Sequence, residues 1–507
     1  MASITAIKTG DVAGEAALND AAHGIEVFCG SGTNALAETH VAVRRVVAAD
    51  DPAKVDVTFV VTEGHPVEIN RILVRGNDYT KDKVVRREIS LSPGDPMLSD
   101  KAEQSKRRLE NLRYFERVQY YLEKTDAPPR ADGQPQLRDL VYEVEEKNTG
   151  QFMVGVGASS VDSVFGTVEV SESNFDIFSP WRFRGAGQKA RALAQAGPRI
   201  QTYEASVTEP HLFDRLLELT VEAYRRQRWF DDYDVIRSGA AATIAYPVKF
   251  WPTAKTTGRL GFRLSAEYVE MDDVEDSLWV PADAAPGTLP RPMFRDEESK
   301  YGDSWEMPLR VFWQDDTRDH FLFPKRGYRT QIYGDLVAAD NEYWRLGGSY
   351  RKYVTVWKKY SHVLSFGGRV ETLDTFSGEL PIYDRLFLGG PRSIRGVDYR
   401  EIAPRVWSQR GKKGEYAPWG GQTLWYLTSE YSVPIVKFVR VAAFTDLGSV
   451  GEDEFDFNTD YFCWSIGCGI RLDIEQFPVR LDFATPVEDP DDGVDKQIFS
   501  FSVGYDF

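Results

Sequence analysis

Two textures of apolar and polar residues run along this chain, and they change over at Asn148-Thr149-Gly150. Beyond that point, strand-length segments show a period of two, the repeat of side chains that point alternately to the two faces of a strand. Leu217, Leu219, Val221 and Ala223 alternate with Glu218, Thr220 and Glu222. Leu260, Phe262, Leu264, Ala266 and Tyr268 alternate with Arg259, Gly261, Arg263, Ser265 and Glu267. Leu364, Phe366, Gly368 and Val370 alternate with Ser365, Gly367, Arg369 and Glu371. The last segment sets Phe499, Phe501, Val503, Tyr505 and Phe507 against Ser500, Ser502, Gly504 and Asp506. About sixteen such segments, parted by polar turns, predict a large antiparallel sheet protein.

A soluble sandwich and a membrane barrel both alternate in this way; the first turns its apolar face inward, the second turns it to lipid. Three features favour the membrane. The polar face carries full charges in mid-strand. Long acidic loops, Met271–Lys300 and Thr372–Gln422, contrast with short turns such as Pro434-Ile435-Val436-Lys437. The chain ends on an aromatic residue at the end of an alternating strand. A sheet in hydrocarbon must close, because an unsatisfied backbone group there costs several kcal/mol. The closing seam is expected between the first segment, Gly150–Ser159, and the last, Ile498–Phe507. Gly150, Phe152, Val154, Gly155 and Gly157 line the first side, and Phe499, Phe501, Val503, Tyr505 and Phe507 the second. Glycine weakens a strand, so the seam is expected to be weak; close packing or a bend is the alternative reason for those glycines.

Ahead of the change-over the pattern is that of small α+β units. Residues 1–40 are Ala- and Gly-rich with weak periodicity and are assigned little structure. Val41–Val47 and Val55–Val61 read as a hairpin, with Val55, Val57, Phe59 and Val61 on one face. Residues 65–147 read as a complete β-α-α-β-β domain. It has a strand at Val67–Val74, a helix capped by Asn77 or Thr80 and running through Arg87, and a second helix capped by Ser99-Asp100. Two strands follow, at Val118–Glu123 and Leu137–Glu145. Ala102, Leu109 and Leu112 supply the apolar stripe of the second helix.

Composition sharpens this picture. No apolar run approaches the roughly 18 residues of a spanning helix, and charged residues make up 27% of 507. A formal charge of −17 argues against a nucleic-acid partner. Cys29, Cys463 and Cys468 have no metal spacing, and the last two, five apart, fall on opposite faces of one strand. The six histidines are scattered, and no nucleophile elbow, zinc-binding helix or phosphate loop occurs. No enzyme activity, cofactor or metal is expected. The basic run Lys106-Arg107-Arg108 lies beside Glu103 and Glu110 and reads as a solvated helix face. Met1–Lys8 shows no charged n-region followed by an apolar h-region, so no signal peptide is read there.

The run Leu388-Gly-Gly-Pro-Arg-Ser-Ile-Arg-Gly-Val-Asp-Tyr-Arg-Glu-Ile-Ala-Pro404 resembles the inward-folded sixth loop of the outer-membrane assembly factors typified by BamA, the bacterial surface antigen family. Residues 65–147 look like a polypeptide-transport-associated (POTRA) domain. The Glu145–Gly150 junction and Asp316–Gly327 are similar to further stretches of that family, in the family's order. The resemblance implies a mainly β fold: an antiparallel transmembrane barrel of about sixteen strands (residues 148–507) after a POTRA domain (65–147), with residues 1–64 the remnant of a preceding one. Relatives of this branch carry a signal peptide and several POTRA domains. The resemblance also implies a loop motif of Ser393, Ile394, Arg395 and Gly396, with Arg395 reaching into the lumen toward Glu430 and Asp446. Parity agrees and adds Phe444 as a third expected partner of Arg395: Arg440, Phe444 and Asp446 share the face opposite Val439, Val441 and Ala443. Val397 stands where the family usually has an aromatic residue. The implied function is assembly and insertion of barrel proteins into the bacterial outer membrane, with the POTRA domain in the periplasm. Implied partners are unfolded barrel proteins, accessory lipoproteins and the lipid bilayer. The alternative is a two-partner-type pore that exports one dedicated protein; a passive porin or adhesin has no use for the POTRA unit or the Arg395 loop.

Overall fold

The computed structural model describes residues 7–32, 35–48, 51–126, 128, 134–179, 181–249, 257–281, 284–410, 413–474, 478–490 and 494–504. The chain forms two compact units, one of residues 1–150 with 172–189, the other of residues 151–171 with 190–507.

The first unit opens with a helix at Glu15–Cys29, where the sequence pattern predicts little structure. Its buried stripe is Leu18, Ala21, Ala22 and Ile25, a true helical spacing whose alanines give it low hydrophobic contrast. Ala22 and Ile25 pack on Val41, Val43, Phe59 and Val61 of the hairpin His40–Val47/Val55–Thr62. A second core lies under a three-stranded sheet, in which Gln136–Glu146 is central between Val67–Arg75, parallel to it, and Phe115–Lys124, antiparallel. Val84, Val85, Ala102, Leu109, Leu140 and Tyr142 fill it. The first helix is short, Asp82–Arg86, and follows Lys81 rather than a side-chain cap. The second, Ser99–Asn111, also lacks the expected Ser99 cap. Its first amides are met instead from the preceding unit: Ser99 N donates to Gly30 O (2.8 Å) and Asp100 N to Ser31 Oγ (3.2 Å).

Asp139 sits buried in this sheet. Burial pushes its pKa up, but hydrogen bonds from Arg71 (2.7 Å) and Asn70 (2.8 Å) outweigh that and hold it below the usual carboxylate range. A depressed folded-state pKa stabilises above the unfolded value near 4, and the gain is lost as pH falls through the folded value. Asp139→Asn is therefore expected to flatten the acid limb of this sheet's stability, followed by hydrogen exchange from about pH 6 to about pH 3. An unchanged acid limb would refute the assignment.

The second unit is a closed antiparallel barrel of sixteen strands. In chain order they are β1 Gly150–Ser159, β2 Ser163–Phe175, β3 Gln188–Ala196, β4 Ile200–Glu209, β5 Glu218–Trp229 and β6 Asp234–Val248. Next come β7 Gly258–Asp272, a two-piece β8 (Asp303–Glu306 and Leu309–Asp316), β9 Gly327–Val337, β10 Tyr343–Trp357 and β11 His362–Thr375. The set ends with β12 Thr423–Val436, β13 Val439–Gly451, β14 Cys463–Leu472, β15 Val479–Glu488 and β16 Phe499–Val503. Both pieces of β8 pair with β7, and the break falls at Met307-Pro308, where proline has no N–H to give the ladder.

The barrel is inside-out relative to a soluble protein. Phe262, Leu264, Ile332 and Leu427 are about half exposed on its outer face, whereas Glu306, Glu371 and Asp446 are almost wholly buried within. Phe499 is exposed and Ser500 buried, which places the apolar row outward and removes the sandwich alternative. The interior is held by charge. Arg237 bonds Glu306 (3.1 Å) and Asp384 (2.8 Å), and Arg345 faces Glu371 and Asp384 (3.5 and 3.6 Å). Ile332→Arg, in the middle of β9 and facing lipid, is expected to destabilise the barrel by about 2–4 kcal/mol in urea titrations in vesicles. A cost near zero would place that face in water.

The two long loops are not structureless. They form a small sheet (Leu278–Val280, Arg405–Arg410, Lys413–Pro418) and a helix (Met293–Tyr301). Trp279, Phe294 and Trp419 pack there with Tyr233 in an apolar cluster of their own.

Candidate functional site

The β11–β12 connection carries the predicted loop. Leu388 and Ile402 exchange two backbone hydrogen bonds of 3.0 Å, which closes the loop into a narrow hairpin-like finger. Gly390 N donates to Val397 O at 3.0 Å, and the Ser393 hydroxyl both donates to Gly389 O and accepts from Gly389 N, at 2.9 Å each. Gly396 has φ 93°, and a Cβ there would lie 2.9 Å from the Ala484 carbonyl carbon of β15, so this position needs glycine twice over. Ile394 and Val397 are fully buried among Leu388, Ile402, Leu373, Leu424 and Val450. Val397 fills its place in that cluster completely.

With Ile394 and Val397 anchored, Arg395 between them is driven toward β12 and β13. The structure brings it together with all three predicted partners. Its Nε and Nη2 donate to the two oxygens of Asp446 at 2.7 and 2.8 Å, a bidentate fork. Nη1 donates to Glu430 Oε2 at 2.9 Å, and the guanidinium carbon lies 3.4 Å from the Phe444 ring centroid. Register makes this possible, since Thr428 faces Asp446 and Glu430 faces Phe444 across β12 and β13. Arg395 is 6% exposed and Asp446 0%.

Sequence reasoning missed three members of this cluster. Arg471 of β14 donates to Glu430 (2.9 Å) and pairs with Asp482 of β15 (2.6 Å); Thr428 donates to Asp446 (2.6 Å). Arg471 and Asp482 lie on the inward parity of their strands, which was the available signal. Arg395 and Arg471 thus join the carboxylates of Glu430, Asp446 and Asp482, and Arg480 of β15 lies opposite Arg471 across the sheet.

The seam is short. Among the described residues only Ala158 pairs with Val503 and Ser159 with Ser502, followed by Ser160 N donating to Phe501 O at 3.0 Å. Gly150, Phe152, Val154 and Gly155 lie on β1 below these pairs, with Phe152 and Val154 both 68% exposed, and Phe499 pairs only with β15. Tyr505 and Phe507 lie outside the described residues. Gly157 has a packing reason, since the Phe165 ring of β2 lies 2.3 Å from where its Cβ would stand; at Gly155 nothing comes within 4 Å.

A barrel with this lumen loop can be compared with known proteins. Residues 182–507 match the Omp85 superfamily domain. The chain belongs to the Omp85 superfamily. Residues 67–147 match a second family, the surface antigen variable number repeat of POTRA type. The Omp85 chain is 28% identical over 462 residues to the outer membrane protein assembly factor BamA of Nitratidesulfovibrio vulgaris, covering 89% of this chain and 53% of that one. It spans about half the length of the curated relatives it matches. Its fold is that of the crystal structure of BamA from Haemophilus ducreyi lacking POTRA domains 1–3 (TM-score 0.73, 19% identity, 98% of this chain and 95% of that one). CdiB from Acinetobacter baumannii is a more distant likeness (TM-score 0.52, 12% identity, 97% and 82%). This Omp85 barrel is a bacterial outer-membrane barrel, and its POTRA repeat is periplasmic.

Proposed function

We propose that this protein folds other barrel proteins and inserts them into the outer membrane, without cofactor, nucleotide or covalent chemistry. The observation that carries this reading is the β1/β16 closure of a barrel whose lumen holds the Arg395 finger: among the described residues the two strands join through Ala158/Val503, Ser159/Ser502 and the Ser160–Phe501 hydrogen bond, so parting them bares a strand edge. An unpaired strand edge is a template for another strand. A client strand adding to β1 satisfies its own backbone as it enters hydrocarbon, and that satisfaction supplies the driving force. In the POTRA sheet the outer edge of Val67–Arg75 is taken at Val67 and Ile69 by the Gly94–Met97 segment, which leaves the edge strand Phe115–Lys124 as the site for strand addition by an unfolded client. Accessory lipoproteins of an assembly complex are the partners expected at the same unit. Residues 1–64, a helix on a hairpin, are read as the remnant of a preceding POTRA domain.

A secretion pore shares the fold, but a conduit needs an empty lumen. The loop motif is common to both plans, so a stable open channel that exports one dedicated protein is the observation that would favour the pore. The reading is tested by reconstituting the protein in liposomes and adding an unfolded barrel protein. Insertion is expected to run at least about tenfold faster than in empty liposomes, a barrier change of about 1.4 kcal/mol. No acceleration by folded protein would refute it.

A further inference from the structure

The loop that carries Arg395 is tied to both sides of the seam, and we propose that Asp162 is the positioning residue that latches it to the β1 side. The proposal deepens the assembly reading, on which it rests for the purpose of seam opening. Asp162 lies in the turn after β1 and is 2% exposed. Its backbone N donates to Ser159 Oγ (2.8 Å), and that hydroxyl lies 3.1 Å from Asp162 Oδ2, so the carboxylate is locked to a residue of the closing pair Ser159/Ser502. Two arginines converge on it. Arg228 of β5 donates to Oδ1 at 2.8 Å, and Arg392 of the lumen loop donates to Oδ2 at 3.4 Å. Arg228 also stands 4.9 Å from the ring of Tyr399, a second residue of the same loop.

On the other side of the seam the ties are made by backbone. Gln497 N donates to Gly396 O (3.2 Å) and Asp398 N to Asp495 O (2.8 Å), both on the segment that leads into β16. Gly396 is pressed against Ala484 of β15, and Arg395 is buried on β12 and β13. The loop is thus fixed to the β12–β16 wall by buried and backbone contacts. Among the described residues it meets the β1 turn through the 3.4 Å Arg392–Asp162 pair, whose Arg392 side chain is 56% exposed, while Tyr399 and Arg400 stack on Arg228 and Phe230 at the end of β5. The half-exposed Arg392–Asp162 pair is weaker than the buried and backbone ties, so when β1 parts from β16 it is the first of them to break. Arg228 then keeps hold of the β1 turn. In this scheme the Arg392–Asp162 contact couples the state of the lumen loop to the state of the seam.

The test uses the full chain in vesicles with Cys29, Cys463 and Cys468 replaced by serine. Spin labels are placed at Val164→Cys on β2 and Val487→Cys on β15, both exposed on the outer face at opposite sides of the seam. Electron–electron distance measurements report the fraction of separated seams. Asp162→Ala and Arg392→Ala are each expected to raise that fraction about fivefold, whereas Asp162→Glu keeps the parent distribution. Arg392 is largely exposed, so its variant folds and decides the matter even if Asp162→Ala does not. Unchanged distances in a folded Arg392→Ala protein would overturn the latch. Failure of the parent to speed client insertion would count against the assembly reading alone, because the distance measurement needs no client.

Discussion

Arg395→Ala is expected to abolish at least nine-tenths of client insertion and to release the lumen finger to protease. The reason is the state in which it leaves Asp446. That carboxylate is wholly buried, and its bidentate partner supplies two of its hydrogen bonds. Breaking a buried pair by removing one partner costs about 3–5 kcal/mol, because a charge remains without compensation. Arg471 offsets part of the loss at Glu430 but does not bond Asp446, so the damage concentrates at β13. Arg395→Lys is expected to fall between parent and alanine, since an ammonium cannot grip both Asp446 oxygens and reach Glu430 together. Insertion kinetics in liposomes and limited proteolysis between Leu388 and Pro404 check both variants. A fully active Arg395→Ala protein with a protected finger would show that the cluster is merely one of many lumen charges.

Locking the seam is expected to have an equally large effect. Ser159 and Ser502 face each other across β1 and β16, and facing residues of an antiparallel pair have Cα atoms about 4.5–5.5 Å apart, within disulfide range. In a background lacking the native cysteines, Ser159→Cys with Ser502→Cys should oxidise spontaneously. Insertion should then fall below about a tenth of the reduced rate, and a reducing agent should restore it. Reversibility separates a trapped seam from a misfolded barrel. An oxidised protein that inserts clients at the reduced rate would end the proposal that β1 and β16 part.

Much of this architecture is legible in the order of the residues, for a physical reason. In a membrane barrel both environments are uniform along a strand, lipid on one side and a charged interior on the other. Parity therefore locates Asp446 and Phe444 without coordinates, and the structure places both inward. The helix at Glu15–Cys29 escapes the same method because Ala21 and Ala22 carry half of its buried stripe, and alanine contrasts weakly with its neighbours. The caps of Ser99–Asn111 are invisible for a different reason: the partners of its first amides are Gly30 and Ser31, far away in the chain. Seam register cannot be read either: barrel stagger, not local pattern, sets it, and among the described residues Ala158 faces Val503 and Ser159 faces Ser502. Arg471 and Asp482 have the right parity, yet the choice among many inward charges is made by the finger's position.

The interior held by Arg237, Glu306, Asp384, Arg345 and Glu371 has a thermodynamic consequence. Exposing apolar surface to water raises heat capacity, and exposing polar surface lowers it. Parting these side chains from one another wets mostly polar atoms, so rearrangement of this network carries a small heat-capacity change, unlike release of the finger, which bares Ile394 and Val397. Counter-ions, by contrast, compete directly for guanidinium and carboxylate groups once water enters. The poise of this charge network is therefore set by the salinity around the cell more than by its temperature.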